Sequence, residues 1–172
     1  DYVGVKAPQF SFARLKGADP VLSVEMASTG EVACFGEDLS EALLKAVIST
    51  GFRIPRKSIL FSLGGQKNKY KILDEIRQLK DKGFTILATE DTSDFLKENN
   101  IENEKVYKIS RKGKETILDV IKKNRAELVV NILDKYDKER VDDEYQIRRA
   151  TVDFNVPLIT NLQLAKSIFS SI

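Results

Sequence analysis

The chain has no histidine and a single cysteine, Cys34. A disulfide framework, a Cys/His zinc site and any mechanism that needs an imidazole are thereby excluded. Cys34 stands in an apolar context, Val32-Ala-Cys-Phe35, and is expected to be a buried structural thiol. No apolar run approaches the ~20 residues of a membrane helix, and no signal-peptide pattern opens the chain. Neither sign of charge dominates: the formal net charge is +2, too small to argue for nucleic acid by itself. The first residue is Asp1 rather than Met, so the chain is expected to be a piece of something longer.

The 172 residues are 42% hydrophobic and 31% charged, enough for a substantial core under a well-solvated surface. Residues 1–54 differ from the rest. They hold more acidic than basic side chains and read as four short strands, at 3–5, 9–12, 21–26 and 31–35. An amphipathic helix over 37–48 follows, with Leu43, Leu44, Val47 and Ile48 on one face and Gly51 placed to end it. So small a segment buries too little surface to make a good domain alone. The residues 51–55 are its linker.

From Ser58 the texture becomes a steady alternation. Strands are expected at 58–63, 84–88, 105–109, 127–133 and 156–160. Helices are expected at 67–82, 94–99, 115–123, 143–154 and 162–172. The core faces of three of them are Ile72, Leu73, Ile76 and Leu79; Ile117, Leu118 and Ile121; and Leu164, Ile168 and Ile172. The uninterrupted Leu128-Val-Val130 points to a central strand. Alternating strands and helices imply a five-stranded parallel sheet with helices on both faces, an α/β fold of three layers.

In open sheets of this kind ligands bind beyond the carboxyl ends of the strands. Those ends carry Gly64-Gly65 with Lys67 and Lys69, Thr89 with Thr92, Lys108, Asn131, and Thr160-Asn161. Ammonium groups, hydroxyls and amides without a base, histidine or thiol are chemistry for holding an anion rather than for transferring protons. Thr92 and Ser93 stand where a helix N-cap would, ahead of Asp94-Phe95-Leu96, and capping alone would account for either of them. The run Gly64-Gly-Gln-Lys-Asn-Lys69 lacks the spacing of a P-loop. Residues 53–82 hold nine basic against three acidic side chains, but on the solvent side of a helix, so no nucleic-acid partner is expected. Arg148 and Arg149 lie in a helix with Glu144, where a surface ion pair is the simplest reading for at least one of them.

The motifs resemble a known family. Val3-Gly-Val-Lys-Ala-Pro-Gln-Phe-Ser-Phe12, Gly17-Ala-Asp-Pro20 and Val24-Glu-Met-Ala-Ser-Thr-Gly-Glu-Val32 resemble the end of the second synthetase half of the carbamoyl phosphate synthase large subunit. Lys67-Asn-Lys69, Ala88-Thr-Glu-Asp-Thr92, Leu128-Val-Val-Asn131, Ile147-Arg-Arg-Ala-Thr-Val152 and Pro157-Leu-Ile-Thr160 resemble that subunit's C-terminal allosteric domain, which has the methylglyoxal synthase fold. The resemblance implies a tail of an ATP-grasp domain over 1–54 and an allosteric domain over 55–172. It implies a small anionic effector, with Lys69, Thr89, Thr92, Lys108 and Asn131 at its binding positions and Arg148 and Arg149 beside them. The partners it implies are the remainder of the large subunit and its glutaminase, with no membrane. ATP and Mg belong to the parent ligase; the fragment itself is expected to be non-catalytic and without a cofactor. The location implied is cytoplasmic, or mitochondrial in the ureotelic branch.

Two effector classes remain open at this point. Lys108 suits a phosphate, and Asp134 would repel a second carboxylate, where relatives that bind N-acetylglutamate resemble this chain but carry tryptophan and asparagine. The N-terminal motifs and Thr160-Asn-Leu-Gln163 lean toward that ureotelic branch. A phosphorylated effector such as UMP is the preferred reading and N-acetylglutamate the alternative. A reading of another class is a lyase acting on dihydroxyacetone phosphate. Methylglyoxal synthase is similar around Arg149-Ala-Thr-Val152 and Val156-Pro-Leu-Ile-Thr-Asn161. Its catalytic aspartate, however, sits in a turn that here reads Ser110-Arg-Lys-Gly-Lys114, and the assisting histidine has no counterpart.

Overall fold

The computed structural model describes residues 1–10, 20, 28–107, 109, 111, 113–133 and 141–172, apart from the side chains of Val141 and Asp142. The expected strand at 21–26, and with it Glu25, lies outside the described residues. So do Lys108 and residues 134–140, Asp134 among them.

Strands β1 (Val3–Gln9) and β2 (Gly30–Gly36) pair antiparallel, Val3 opposite Gly36, and helix α1 (Leu39–Ser49) returns beneath them. Asp38 caps α1 by accepting from Glu41 N at 2.8 Å, and Glu41 Oε2 accepts from Glu37 N at 2.6 Å. Gly51 adopts φ +89 just past the helix end, where a side chain would be strained. The buried face of α1 differs from the expected one. Ala42, Ala46 and Val47 are buried, whereas Ile48 is half exposed, because α1 is covered on one side by the two strands and on another by the main core, and Ile48 meets neither. Cys34, on a sheet of only two strands, is likewise only part-buried, its Sγ 3.4 Å from Ser49 Oγ.

The remainder runs β3 (Ser58–Leu63), α2 (Gln66–Lys71), α3 (Leu73–Asp81), β4 (Thr85–Thr89), α4 (Glu90–Glu98), β5 (Glu104–Val106), α5 (Ile117–Lys122), β6 (Leu128–Ile132), α6 (Val141–Asp153), β7 (Leu158–Ile159) and α7 (Leu162–Ser170). The five strands form one parallel sheet in the order β5-β4-β3-β6-β7. β3 is the middle strand, and β6, which the unbroken apolar run placed centrally, lies next to it with all five residues buried. One core fills the side covered by α1, α3, α4 and α7, with Phe61, Ala88, Val130 and Ile159 pointing into it. The other fills the side covered by α5 and α6, with Leu60, Leu87, Val106 and Val129. Val47 of α1, with Leu43 and Phe52 beside it, joins the first core.

The α2–α3 segment and α7 also depart from the sequence pattern. The expected helix over 67–82 is broken at Ile72, which has φ −113 and ψ 3. The expected apolar face survives the break, since Ile72, Leu73, Ile76 and Leu79 are all buried. Tertiary contacts on each side of the break override a locally acceptable helix. On α7 the buried residues are Leu162, Ala165, Ile168 and Phe169, while Leu164 stays exposed, one position off the expected stripe.

The linker is tied to the amino end of the sheet by one carboxylate. Glu127 Oε2 accepts from Arg56 N at 2.6 Å and from Lys57 N at 2.8 Å. Burial pushes this carboxyl up, but the backbone N–H groups of Arg56, Lys57 and Ser58 outweigh it and hold the pKa below its ordinary value. A group whose folded pKa is depressed stabilises fully above its unfolded pKa, about 4.3 for glutamate, and loses that contribution as pH falls through the folded value. Glu127→Gln is expected to cost about 1 kcal/mol at pH 7, the difference between charged and neutral acceptors. Urea unfolding curves of the two proteins should draw together as pH falls below about 4.3 and meet once the folded carboxyl is protonated, at a lower pH; a gap that persists beyond that point would show that charge is not the cause.

Candidate functional site

The strand order reverses at β3. The chain passes from β3 to β4 and β5 on one side, then returns to place β6 and β7 on the other. The crevice beyond the carboxyl ends of β3 and β6 is therefore the switch point, the place where open α/β sheets bind ligands. Register decides what faces it. Leu60 and Phe61 pair with Leu87 and Ala88, so Ser62 comes level with Thr89 on β4, and on its other side Ser62 pairs with Asn131 of β6. Val130 pairs with Ile159, so Thr160 continues the row. Ser62, Thr89, Asn131 and Thr160 thus form one polar row across four adjacent strands. It lies one step beyond the apolar row of Leu60, Leu87 and Val129, on the same face of the sheet.

Asn131 is the most telling member. It is 0% exposed, and neither its Oδ1 nor its Nδ2 has a hydrogen-bond partner. A buried amide left unbonded is costly, and such groups call for an explanation. Ser62, which the sequence reading did not single out, is only part-buried although it lies on the middle strand of a doubly covered sheet. A hydroxyl directly after the apolar run Ile59-Leu-Phe61, one residue from the carboxyl end of the strand, was the available signal.

The N-terminus of α4 meets this row. The sequence suggested Thr92 or Ser93 as its cap, but the helix begins a turn earlier, with Thr89 as N-cap and no capping bond from the Thr89 side chain. Thr92 occupies the first turn and is 0% exposed. Its Oγ1 accepts from Leu63 N at 3.0 Å and from Thr89 Oγ1 at 3.3 Å. The correction has a plain cause: the apolar pattern of the helix starts at Phe95, but the end of β3 needs an acceptor that only a Thr92 already inside the helix can present. Gly65, at φ +75, turns the chain from β3 into α2, and Asn68 Nδ2 donates to Gly64 O at 2.9 Å. Lys69 is 6% exposed. Its ammonium donates to Asp91 O at 3.0 Å and lies 5.8 Å from the centroid of the Phe95 ring, which aims it along the first turn of α4.

Lys69, Thr89, Thr92 and Asn131 are thus assembled around one switch point, and Lys108 lies outside the described residues. The two arginines are placed differently. Arg148 is buried on α6 with Glu144 at 4.0 Å. Arg149 donates to Asp153 Oδ1 at 2.6 and 3.0 Å, a pairing that raises the arginine pKa and lowers that of the carboxylate. This pair sits in the second half of α6, which runs back toward the amino ends of the strands. Two hollows open on the surface: one of about 910 Å3 lined by Phe52, Arg53, Arg56, Glu127 and Phe154, and one of about 360 Å3 that runs from Gln9 and Leu164 to Thr160 and Asn161 at the carboxyl end of β7. The first lies away from the polar row, and the second touches it at Thr160; neither is lined by a buried side chain lacking a hydrogen-bond partner.

The sequence model of the MGS-like domain matches residues 71–160, which span β4 to β7 and with them most of this site. The chain belongs to the MGS-like domain family. Similarity to longer proteins extends over its full length. It is 44% identical to the multifunctional protein pyrABCN of Emericella nidulans over 100% of the chain and 8% of that protein. It is 46% identical to the human mitochondrial carbamoyl-phosphate synthase (ammonia) over 96% of the chain and 11% of that protein. It is 44% identical to the multifunctional protein CAD of Squalus acanthias, over 95% and 8% respectively. The MGS-like chain therefore spans about a tenth of the length of these relatives. A solved methylglyoxal synthase from Elizabethkingia anophelis NUHP1 superposes with a TM-score of 0.49 at 16% identity, over 67% of this chain and 78% of its own. Among the described residues no helix is long and apolar enough to cross a membrane, and no cluster of three metal-ligating side chains occurs.

Proposed function

We propose that this chain is the regulatory segment of a carbamoyl phosphate synthase and that it binds a small phosphorylated effector of the UMP class at the switch point between β3 and β6. The observation that carries the reading is the unpartnered, fully buried amide of Asn131 in the polar row. An amide offers donors and an acceptor to hydroxyls or carbonyls of a ligand. Lys69 and the N-terminus of α4, which Thr89 does not cap with its side chain, supply the positive charge and the N–H groups that suit a phosphate. Thr89 joins the two halves, since it is both a member of the row and the N-cap. The remainder of the synthetase and its glutaminase are the partners through which binding would change activity.

A thermal-shift panel of UMP, UTP, IMP, phosphoribosyl pyrophosphate and N-acetylglutamate tests the reading. A phosphorylated ligand at about 100 times its Kd should stabilise by ~2.7 kcal/mol. For a chain of this length that is a rise of roughly 5–10 °C, shrinking as salt is added. A response to N-acetylglutamate alone would transfer the site to the dicarboxylate class. No response to any of them would make the chain a passive interaction module, and methylglyoxal formed above background from dihydroxyacetone phosphate would make it a lyase.

A further inference from the structure

The first turn of α4 contains two carboxylates, Glu90 and Asp91. Acidic residues there satisfy the helix dipole by themselves and would repel an anion approaching the same amides. Glu90 is the more serious obstacle, because its side chain is only 17% exposed and water screens it poorly. An anion site at this helix end needs a charge that offsets Glu90.

Lys105 on β5, paired with Asp94 of the same helix, supplies part of it, and the connection between β5 and α5 brings a second charge into direct contact. Arg111 Nη2 lies 3.4 Å from Glu90 Oε1. The base of that connection is closed by a parallel bridge, in which Tyr107 N donates to Glu115 O at 3.1 Å and Ile117 N donates to Tyr107 O at 3.0 Å. Arg125 clamps it further, pairing with Glu104 at 2.6 Å and also with Glu115. The two ends of the connection are therefore anchored, and Arg111 meets α4 at Glu90.

We infer that Arg111 is a positioning residue of the anion site: by neutralising Glu90 it lets the N-terminus of α4 accept a phosphate dianion. The inference rests on the effector reading above. Asn131, the buried and unpartnered amide in the row that Thr89 shares, carries that reading, and the Arg111–Glu90 pair is what the inference adds to it. Arg111 acts through Glu90, so its contribution depends on the carboxylate being present. Its own side chain is 65% exposed, so its removal should leave the fold intact.

UMP titrations of four proteins test this: the unmodified chain, Arg111→Ala, Glu90→Gln and the double variant, each with its melting temperature. Arg111→Ala should weaken UMP binding by about tenfold, and Glu90→Gln should bind UMP at least as tightly as the unmodified chain. In the Glu90→Gln background the loss of Arg111 should cost less than about threefold. Unchanged affinity in Arg111→Ala overturns the inference, as does an equal loss in both backgrounds, which would mean a direct contact with the ligand. Both leave the effector reading standing. Failure of the unmodified chain to bind UMP or any other phosphate compound removes that reading and this inference together.

Discussion

Replacing Asn131 with valine is expected to make the chain more stable and, at the same time, deaf to UMP. The residue is wholly buried in β6, an inner strand of the sheet, with both amide atoms unbonded. An unsatisfied buried polar group costs roughly 1–3 kcal/mol. Valine has a comparable volume, carries no polar atom and suits a strand. The gain should fall at the lower end of that range, about 1 kcal/mol, because the neighbouring Ser62 is part-exposed and the row is open to water there. In a chain of this size that corresponds to a rise of about 2–4 °C in Tm. The ligand-dependent stabilisation of ~2.7 kcal/mol at 100 times Kd should vanish with the amide. Scanning fluorimetry with and without UMP measures both quantities. A variant that melts earlier than the parent would mean that the amide is already satisfied in the free protein. One that still responds fully to UMP would place the site off the polar row.

Thr92→Val should do the reverse, lowering stability and affinity together. Thr92 is buried in the first turn of α4, and its hydroxyl accepts the N–H of Leu63, the last residue of β3, as well as the Thr89 hydroxyl. Valine keeps the shape and removes the acceptor. The stranded N–H should cost about 1–3 kcal/mol, or roughly 3–10 °C in Tm. Leu63 precedes the Gly64-Gly65 turn that places Lys69, so the loss extends to the anion site. UMP affinity should fall at least about tenfold, the equivalent of one charge-assisted hydrogen bond. Thr92→Ser keeps the hydroxyl and should restore binding while losing about 0.8 kcal/mol of methyl burial. Urea denaturation and UMP titration separate the outcomes. Parent-like stability in the valine variant would show that Leu63 N–H finds another acceptor. Lower stability with unaltered affinity would confine the hydroxyl to a structural role.

Much of the candidate site was legible in the sequence. Lys69, Thr89, Thr92 and Asn131 each follow or close an apolar run, and a parallel sheet puts such ends on one edge. The alternation of strands and helices, and with it the three-layer fold, follows from local periodicity, because the spacing of apolar residues within an element reports which of its faces is buried. Periodicity carries no information about how one element is registered against another. Ser62 joins Thr89 and Asn131 only because β3 lies between β4 and β6 at a particular register. Ile72 breaks a helix whose local pattern is continuous, and α4 starts a turn early because Leu63 N–H requires the Thr92 hydroxyl. Ile48 and Leu164, which the local pattern assigns to buried faces, line the walls of open hollows instead. The amino-acid order thus determined the elements, their buried faces and the chemistry at their ends. The choice of neighbours, the register between them and the exact start of α4 were decided by hydrogen bonds between residues far apart in the chain, which no local pattern contains.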